Sequence, residues 1–282
     1  MDQRQLPLNG SYTYNRDGSG VTVYVIDTGL NPSHVDFQGR VLGGRNFVGN
    51  DPGDWSDCNG HGTHVAGTAA GTQFGIAKGA NIAALRVLGC NGSGSTSDII
   101  ESMDWLAQQS GSRIANMSLG GPNSAARSTA ISRLANSGVL VVAAAGNENQ
   151  NACNVWPASS SLTLTVGATD RNDNRASFSN FGPCVDVFSP GVQIPSASST
   201  SNAGSRTLSG TSMASPLVAG IGALFMQDNP NASANQIKQA VITASTTNVV
   251  GNANGSPNRL AFGQFGSPPP APTPTPLSLI HI

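Results

Sequence analysis

Several stretches of continuous apolar sequence punctuate the chain, and each stops abruptly at small or polar residues. Residues 21–26 run into Asp27-Thr28-Gly29, residues 82–88 into Gly89-Cys90, and residues 114–117 into Ser118-Leu119-Gly120-Gly121. Residues 139–145 lead to Gly146-Asn147, and residues 162–168 to Thr169-Asp170. Both alternating faces of these runs are apolar, as in strands buried between two layers of helix. Between them lie helical patterns over 63–70, 96–109, 125–136, 213–226 and 234–244. In the second of these, Ile99, Ile100, Met103 and Leu106 recur at helical spacing. Alternating strands and helices predict an α/β fold, a doubly wound, mostly parallel sheet flanked by helices on both faces. Working residues of such sheets gather at the carboxyl ends of the strands, where Asp27 and Asn147 stand.

Composition narrows the picture. With 282 residues and no composition shift before the last twenty or so, residues 1–265 are expected to form one domain. Charged residues are only 10% and the formal net charge is −1, so the basic footprint of a nucleic-acid binder is missing. No apolar run reaches the roughly 18 residues a membrane span needs. Met1-Asp2-Gln3-Arg4 is polar and does not read as a signal peptide, so an exporting segment is expected outside this sequence. Residues 266–282 form a Pro/Thr-rich linker ending in Leu-Ser-Leu-Ile-His-Ile, read as a truncated or artefactual tail with no function for His281. Four cysteines permit three pairings, and their number alone does not choose among them.

Three short segments carry the chemistry: Val25-Ile-Asp27-Thr-Gly29, Asn59-Gly-His61-Gly-Thr-His64, and Ser209-Gly-Thr-Ser212-Met-Ala-Ser-Pro216. A serine hydroxyl is a weak nucleophile until a neighbouring base takes its proton, and imidazole suits that task near neutral pH. A carboxylate on the other ring nitrogen fixes the tautomer and stabilises the imidazolium. Ser212 is expected just before an apolar helix, with Pro216 tolerated in its first turn, where free N–H groups favour a developing oxyanion. Other readings are weaker. An aspartic-protease dyad requires a second carboxylate motif to match Asp27-Thr28-Gly29. A metal pair at His61 and His64 lacks a third ligand motif, so His64 reads as a packed histidine.

The three motifs, in the order Asp, His, Ser, resemble the subtilases, the subtilisin-like serine peptidases; that order is the family's own. The stretches 86–96, 115–121 and 176–182 are similar to the proteinase K-like, aqualysin-type subgroup. The resemblance implies Asp27, His61 and Ser212 as catalytic triad and Asn147 as oxyanion donor. It implies that Gly92, Ser93 and Gly94 on one side, and Ser118, Leu119 and Gly120 on the other, sandwich a peptide as an added strand. Leu119, Gly120, Ala144 and Gly146 would wall the S1 pocket; with no charge expected there, apolar or aromatic P1 residues are favoured. It further implies the disulfides Cys58–Cys90 and Cys153–Cys184. Structural calcium is implied at Asp186 with the carbonyls of Ser161 and Thr163, and less directly at Asp51, Asp54 and Asp57 and at Asp2 with Gln3. No catalytic cofactor is expected.

The expected function is therefore a secreted serine endopeptidase of broad specificity, acting on polypeptides as a monomer, without nucleic-acid or membrane partners. A pro-domain is expected as a folding template and is absent from this chain. The alternative is a catalytically inactive subtilase domain acting as a binding module. Two departures stand out. Ser215-Pro216-Leu217 replaces the usual Thr-Pro-His, which predicts altered packing behind the nucleophile. Relatives also begin several residues before Met1.

Overall fold

The apolar runs become neighbouring strands of a single sheet. The computed structural model describes residues 1–266, so the tail expected after Gly266 lies outside the described residues. In chain order the elements are β1 (Val21–Asp27), β2 (Val41–Asn46), α1 (His61–Ala70), β3 (Asn81–Arg86), α2 (Thr96–Ala107), β4 (Ser112–Met117), α3 (Ala125–Asn136) and β5 (Leu140–Ala144). There follow β6 (Thr163–Thr169), β7 (Val187–Pro190), β8 (Ile194–Ala197), β9 (Ser205–Leu208), α4 (Thr211–Asp228), α5 (Ala234–Ala244), β10 (Thr246–Thr247) and β11 (Arg259–Leu260). Nine strands form one sheet in the order β10-β11-β7-β6-β5-β4-β1-β3-β2, and only the β10–β11 pair is antiparallel.

Alternation along each strand sends side chains to two separate cores. From β1, Val21, Val23 and Val25 pack with α1, α4 and α5, including Val65, Ala69, Val218, Ile221 and Ile237. Tyr24 and Ile26 point the other way, into a layer with Ile99, Met103 and Leu106 of α2 and Ile131 and Leu134 of α3. Strands covered on both faces are mostly apolar on both, which explains why the apolar runs could be read as strands. The doubly wound α/β expectation holds.

The elements not foreseen are those without such runs. β2 (VLGGRN) is a half-exposed edge strand interrupted by glycines. β8 and β9 form a separate two-stranded antiparallel sheet rich in Ser, Thr, Pro and Arg. Leu217 is buried in the core with α1 and β1, so the departure there is absorbed as apolar packing.

Candidate active site

Asp27 is the last residue of β1, at the carboxyl edge of the sheet, and is fully buried. Its Oδ1 accepts from the Thr28 amide at 2.7 Å and faces His61 Nδ1 at 2.8 Å; Oδ2 is buried without a partner. His61 opens α1, whose start is fixed by a second buried carboxylate, Asp57. Asp57 accepts from the Thr28 hydroxyl at 2.8 Å, the amides of Asn59 and Gly60 at 3.1 and 2.8 Å, and the Thr63 amide and hydroxyl at 2.8 and 2.6 Å. A negative side chain on the unpaired N–H groups of a helix start is favourable in both hydrogen bonding and dipole. Gly60 enters the helix at φ 98°, a left-handed conformation suited to glycine. Gly62 has no room for a side chain, since a Cβ would fall 2.2 Å from the Gly29 carbonyl. Strand end and helix start are thus pressed together, and Asp27 and His61 meet.

Burial pulls the His61 pKa down, but the adjacent Asp27 carboxylate, its hydrogen bond and the charge of Asp57 outweigh this and raise it above the ordinary value. His64 behaves oppositely. Burial drops it to about 4, and its Nε2 lies 3.0 Å from the carbonyls of both Ile194 and Arg206. It is a neutral bolt between α1 and the β8–β9 hairpin, as expected of a packed histidine.

On the other side of the cleft, α4 begins at Thr211, so Ser212 lies within its first turn rather than just before it. Pro216 is the sixth helical residue, not part of the first turn. Its missing N–H leaves the carbonyl four residues back, that of Ser212, without a helical donor. The Ser118 hydroxyl fills the gap, donating to the Ser212 carbonyl at 2.8 Å, while the Ser212 hydroxyl donates to the Ser118 carbonyl at 3.3 Å. Asn116 ties Ser118 to α4: its amide donates to Ser118 Oγ at 2.9 Å and its Oδ1 accepts from the Ser215 hydroxyl at 2.8 Å.

Asn147 follows β5. Its Oδ1 accepts from the Thr211 amide at 2.8 Å and the Thr211 hydroxyl at 3.0 Å. Because a backbone N–H can only donate, that contact must involve the amide oxygen, which turns Nδ2 away from Thr211. Thr211 Oγ1 also accepts from the Gly146 amide at 3.1 Å. His61, Asn147, Gly210 and Ser212 line one cavity of about 280 Å³.

Two larger cavities, each about 460 Å³, continue the cleft. The first is lined by His61, by Gly92, Ser93 and Gly94, and by Ser118, Leu119 and Gly120, so the two segments expected to sandwich a peptide face one space. The second contains Leu119, Gly120, Ala144 and Gly146, as expected of the S1 walls, together with Asn154, Val155 and Ser212. It also contains Glu148, held by Asn180 Nδ2 at 2.7 Å, which corrects the expectation that no charge lines this pocket. The roles of Thr211 and Glu148 were missed in sequence although each adjoins a singled-out residue, Ser212 and Asn147, and Asp57, expected among calcium ligands, instead holds the start of α1.

Both disulfides, Cys58–Cys90 and Cys153–Cys184, are formed as the resemblance implied. Loops of 32 and 31 residues place each bridge at roughly 3–4 kcal/mol in the chain-entropy picture. The first ties the segment before His61 to the segment before Gly92.

The calcium expectations fare differently. The carbonyls of Ser161 and Thr163 and the carboxylate of Asp186 are all taken by Lys238, so these residues do not fit a metal ion as they stand. Asp51, Asp54 and Asp57 do not converge: no group of three acidic, His or Cys residues suited to a metal occurs among the described residues. Asp57 is saturated by its five donors, while Asp51 and Asp54 accept from Gly53 and Ser56 in local turns. Asp2 accepts from the Thr13 amide and hydroxyl at 2.9 Å, and Gln3 is engaged with Asn9 and Ser11. Each of these carboxylates accepts at least one hydrogen bond from the chain itself.

Residues 18–263 match the model of the subtilase family. The chain is 50% identical over 283 residues to an alkaline serine exoprotease A of Vibrio alginolyticus, covering 97% of this chain and 52% of that protein. It is 50% identical over 268 residues to an extracellular serine proteinase of Thermus sp. (strain Rt41A), covering 94% and 65%. It thus spans between half and two thirds of the length of these curated relatives. The structure is similar to that of a cold adapted subtilisin-like serine proteinase, with a TM-score of 0.91 and 49% identity over 94% of this chain and 96% of that one.

Proposed function

The chain belongs to the subtilase family, and from that premise we propose that it is a secreted serine endopeptidase cleaving polypeptides through an acyl-enzyme at Ser212. One observation carries the proposal: the Asp27–His61 pair, at 2.8 Å, opens onto the cavity that also holds Ser212 and Asn147. The Ser212 hydroxyl must turn from the Ser118 carbonyl toward His61, a rotation about one side-chain bond between staggered wells. His61 then takes the hydroxyl proton as Oγ attacks the peptide carbonyl carbon. The oxyanion is received by Asn147 Nδ2 and the Ser212 amide at the start of α4. His61 passes its proton to the departing amine, and water repeats the sequence on the acyl-enzyme. Asp27, unable to rotate away in its buried position, orients the ring and compensates the imidazolium charge.

Substrate backbone would pair with segments 92–94 and 118–120, so affinity depends little on sequence. The S1 walls favour apolar or aromatic P1 side chains, and Glu148 opposes acidic ones. Export is in keeping with the word "extracellular" in one relative's name and with the two disulfides. No helix among the described residues is long and apolar enough to cross a membrane.

Casein digestion and fluorophosphonate labelling test the activity. The chain should digest casein and be labelled, and Ser212→Ala should do neither while keeping its circular dichroism spectrum. A folded chain that neither labels nor digests would favour the alternative, an inactive binding domain. Peptides with Phe, Leu, Lys and Asp at P1 test the pocket. Phe or Leu should be fastest and Asp slowest; a best rate with Lys or Asp would refute the apolar preference.

A further inference from the structure

The oxygens that the family resemblance would offer to calcium already hold a cation that belongs to the chain. Lys238 sits on the inward face of α5 beside Ile237 and Val241 and is only 8% exposed. Its Nζ donates to the carbonyl of Ser161 at 3.0 Å and of Thr163 at 2.5 Å, and lies 2.9 Å from Asp186 Oδ2. An ammonium has three protons and no lone pair, so these three acceptors satisfy it completely. Asp186 is itself held by the Thr165 amide at 2.8 Å.

A calcium ion needs about six to eight oxygens at roughly 2.3–2.6 Å, and on this set it would stand where the ammonium stands. Keeping both would bury a divalent charge against a monovalent one with a single carboxylate between them. We propose that Lys238 is a built-in cation at the Asp186–Ser161–Thr163 site, which therefore takes no calcium while the lysine is present.

The tether reaches the substrate cleft. Thr165 Oγ1 donates to the Ala158 carbonyl at 3.0 Å, and Thr163 Oγ1 lies 2.8 Å from the Ser160 carbonyl and 3.2 Å from that of Pro157. The preceding residue, Trp156, exchanges two 2.9 Å backbone hydrogen bonds with Gly121, and Asn154 and Val155 line the S1 cavity. Lys238 thus anchors the foot of a loop whose other end walls the specificity pocket, and the anchor cannot dissociate.

Calcium bound per chain, measured by equilibrium dialysis, decides the matter. Wild type and Asp186→Asn should bind equally, whatever other sites contribute. Lys238→Met, which vacates the oxygens, should gain one equivalent with Kd on the order of 10⁻⁴–10⁻³ M, the range of extracellular modules. Adding Asp186→Asn to it should remove that equivalent, and calcium should raise the Tm of Lys238→Met more than that of wild type. The proposal is overturned if Asp186→Asn binds one ion fewer than wild type, or if folded Lys238→Met gains none. Should Lys238→Met not fold, the wild-type and Asp186→Asn pair decides alone.

Discussion

The two walls of the cleft are built from different chemistry. On the His61 side, two buried carboxylates, Asp27 and Asp57, collect backbone amides, hydroxyls and the imidazole. On the Ser212 side, Asn116, Ser118, Asn147, Thr211 and Ser215 meet through uncharged hydrogen bonds, and the Glu148 carboxylate stands apart from them in the S1 cavity, held by Asn180. A base is helped by surroundings that favour its protonated form, which for His61 are the neighbouring negative charge and the Asp27 hydrogen bond. An oxyanion hole and a nucleophile need position, which neutral hydrogen bonds supply without adding a negative charge against the oxyanion. The difference teaches that field and geometry are assigned to opposite walls.

Breaking the charged wall should cost most. Asp27→Asn keeps the shape but removes the charge and offers the imidazole the wrong tautomer, and kcat should fall on the order of 10⁴, a size known from subtilisin's own aspartate. Steady-state kinetics checks this; a loss under tenfold would show that position alone suffices. The neutral wall should cost less. Asn147→Ala should lower kcat by about 10²–10³, again a magnitude measured in subtilisin, with KM little changed. If KM carries the loss instead, Asn147 holds substrate rather than the transition state.

The smallest effect sharpens the contrast, because it reads the wall that carries the imidazole. The His61 pKa is raised, so the acid limb of kcat/KM should have its midpoint above the ordinary value of about 6.5, falling tenfold per pH unit below it. A midpoint at or below that value would mean that burial outweighs the carboxylates. The same shift acts oppositely on the fold. Protonated His61 stabilises it fully below the unfolded pKa, and this contribution fades as pH rises through the folded pKa.

What could be read in sequence follows from how local each signal is. Strands buried on both faces are mostly apolar on both, so β1, β3, β4, β5 and β6 were legible. The polar β8–β9 hairpin was not, because its backbone pairing leaves no apolar period. Asp27, His61 and Ser212 sit in motifs whose neighbours are themselves constrained. Thr211 meets Asn147 across 64 residues and Lys238 meets Ser161 across 77, and neither separation is encoded nearby. Lysine on an amphipathic helix ordinarily reads as its wet face, and only its position three residues before Val241 hints otherwise. Acids gathered in a loop read as metal ligands, whereas Asp57 is consumed by the start of α1.

Pro216 shows how a gap in one element becomes a joint between two. With an ordinary residue at that position, α4 would heal its own ladder and compete with Ser118 for the Ser212 carbonyl, loosening the clasp between the Ser212 peptide and the strand beside it. Replacing the proline to perfect the helix is therefore a poor route to a sturdier fold. The imperfection joins helix to cleft wall.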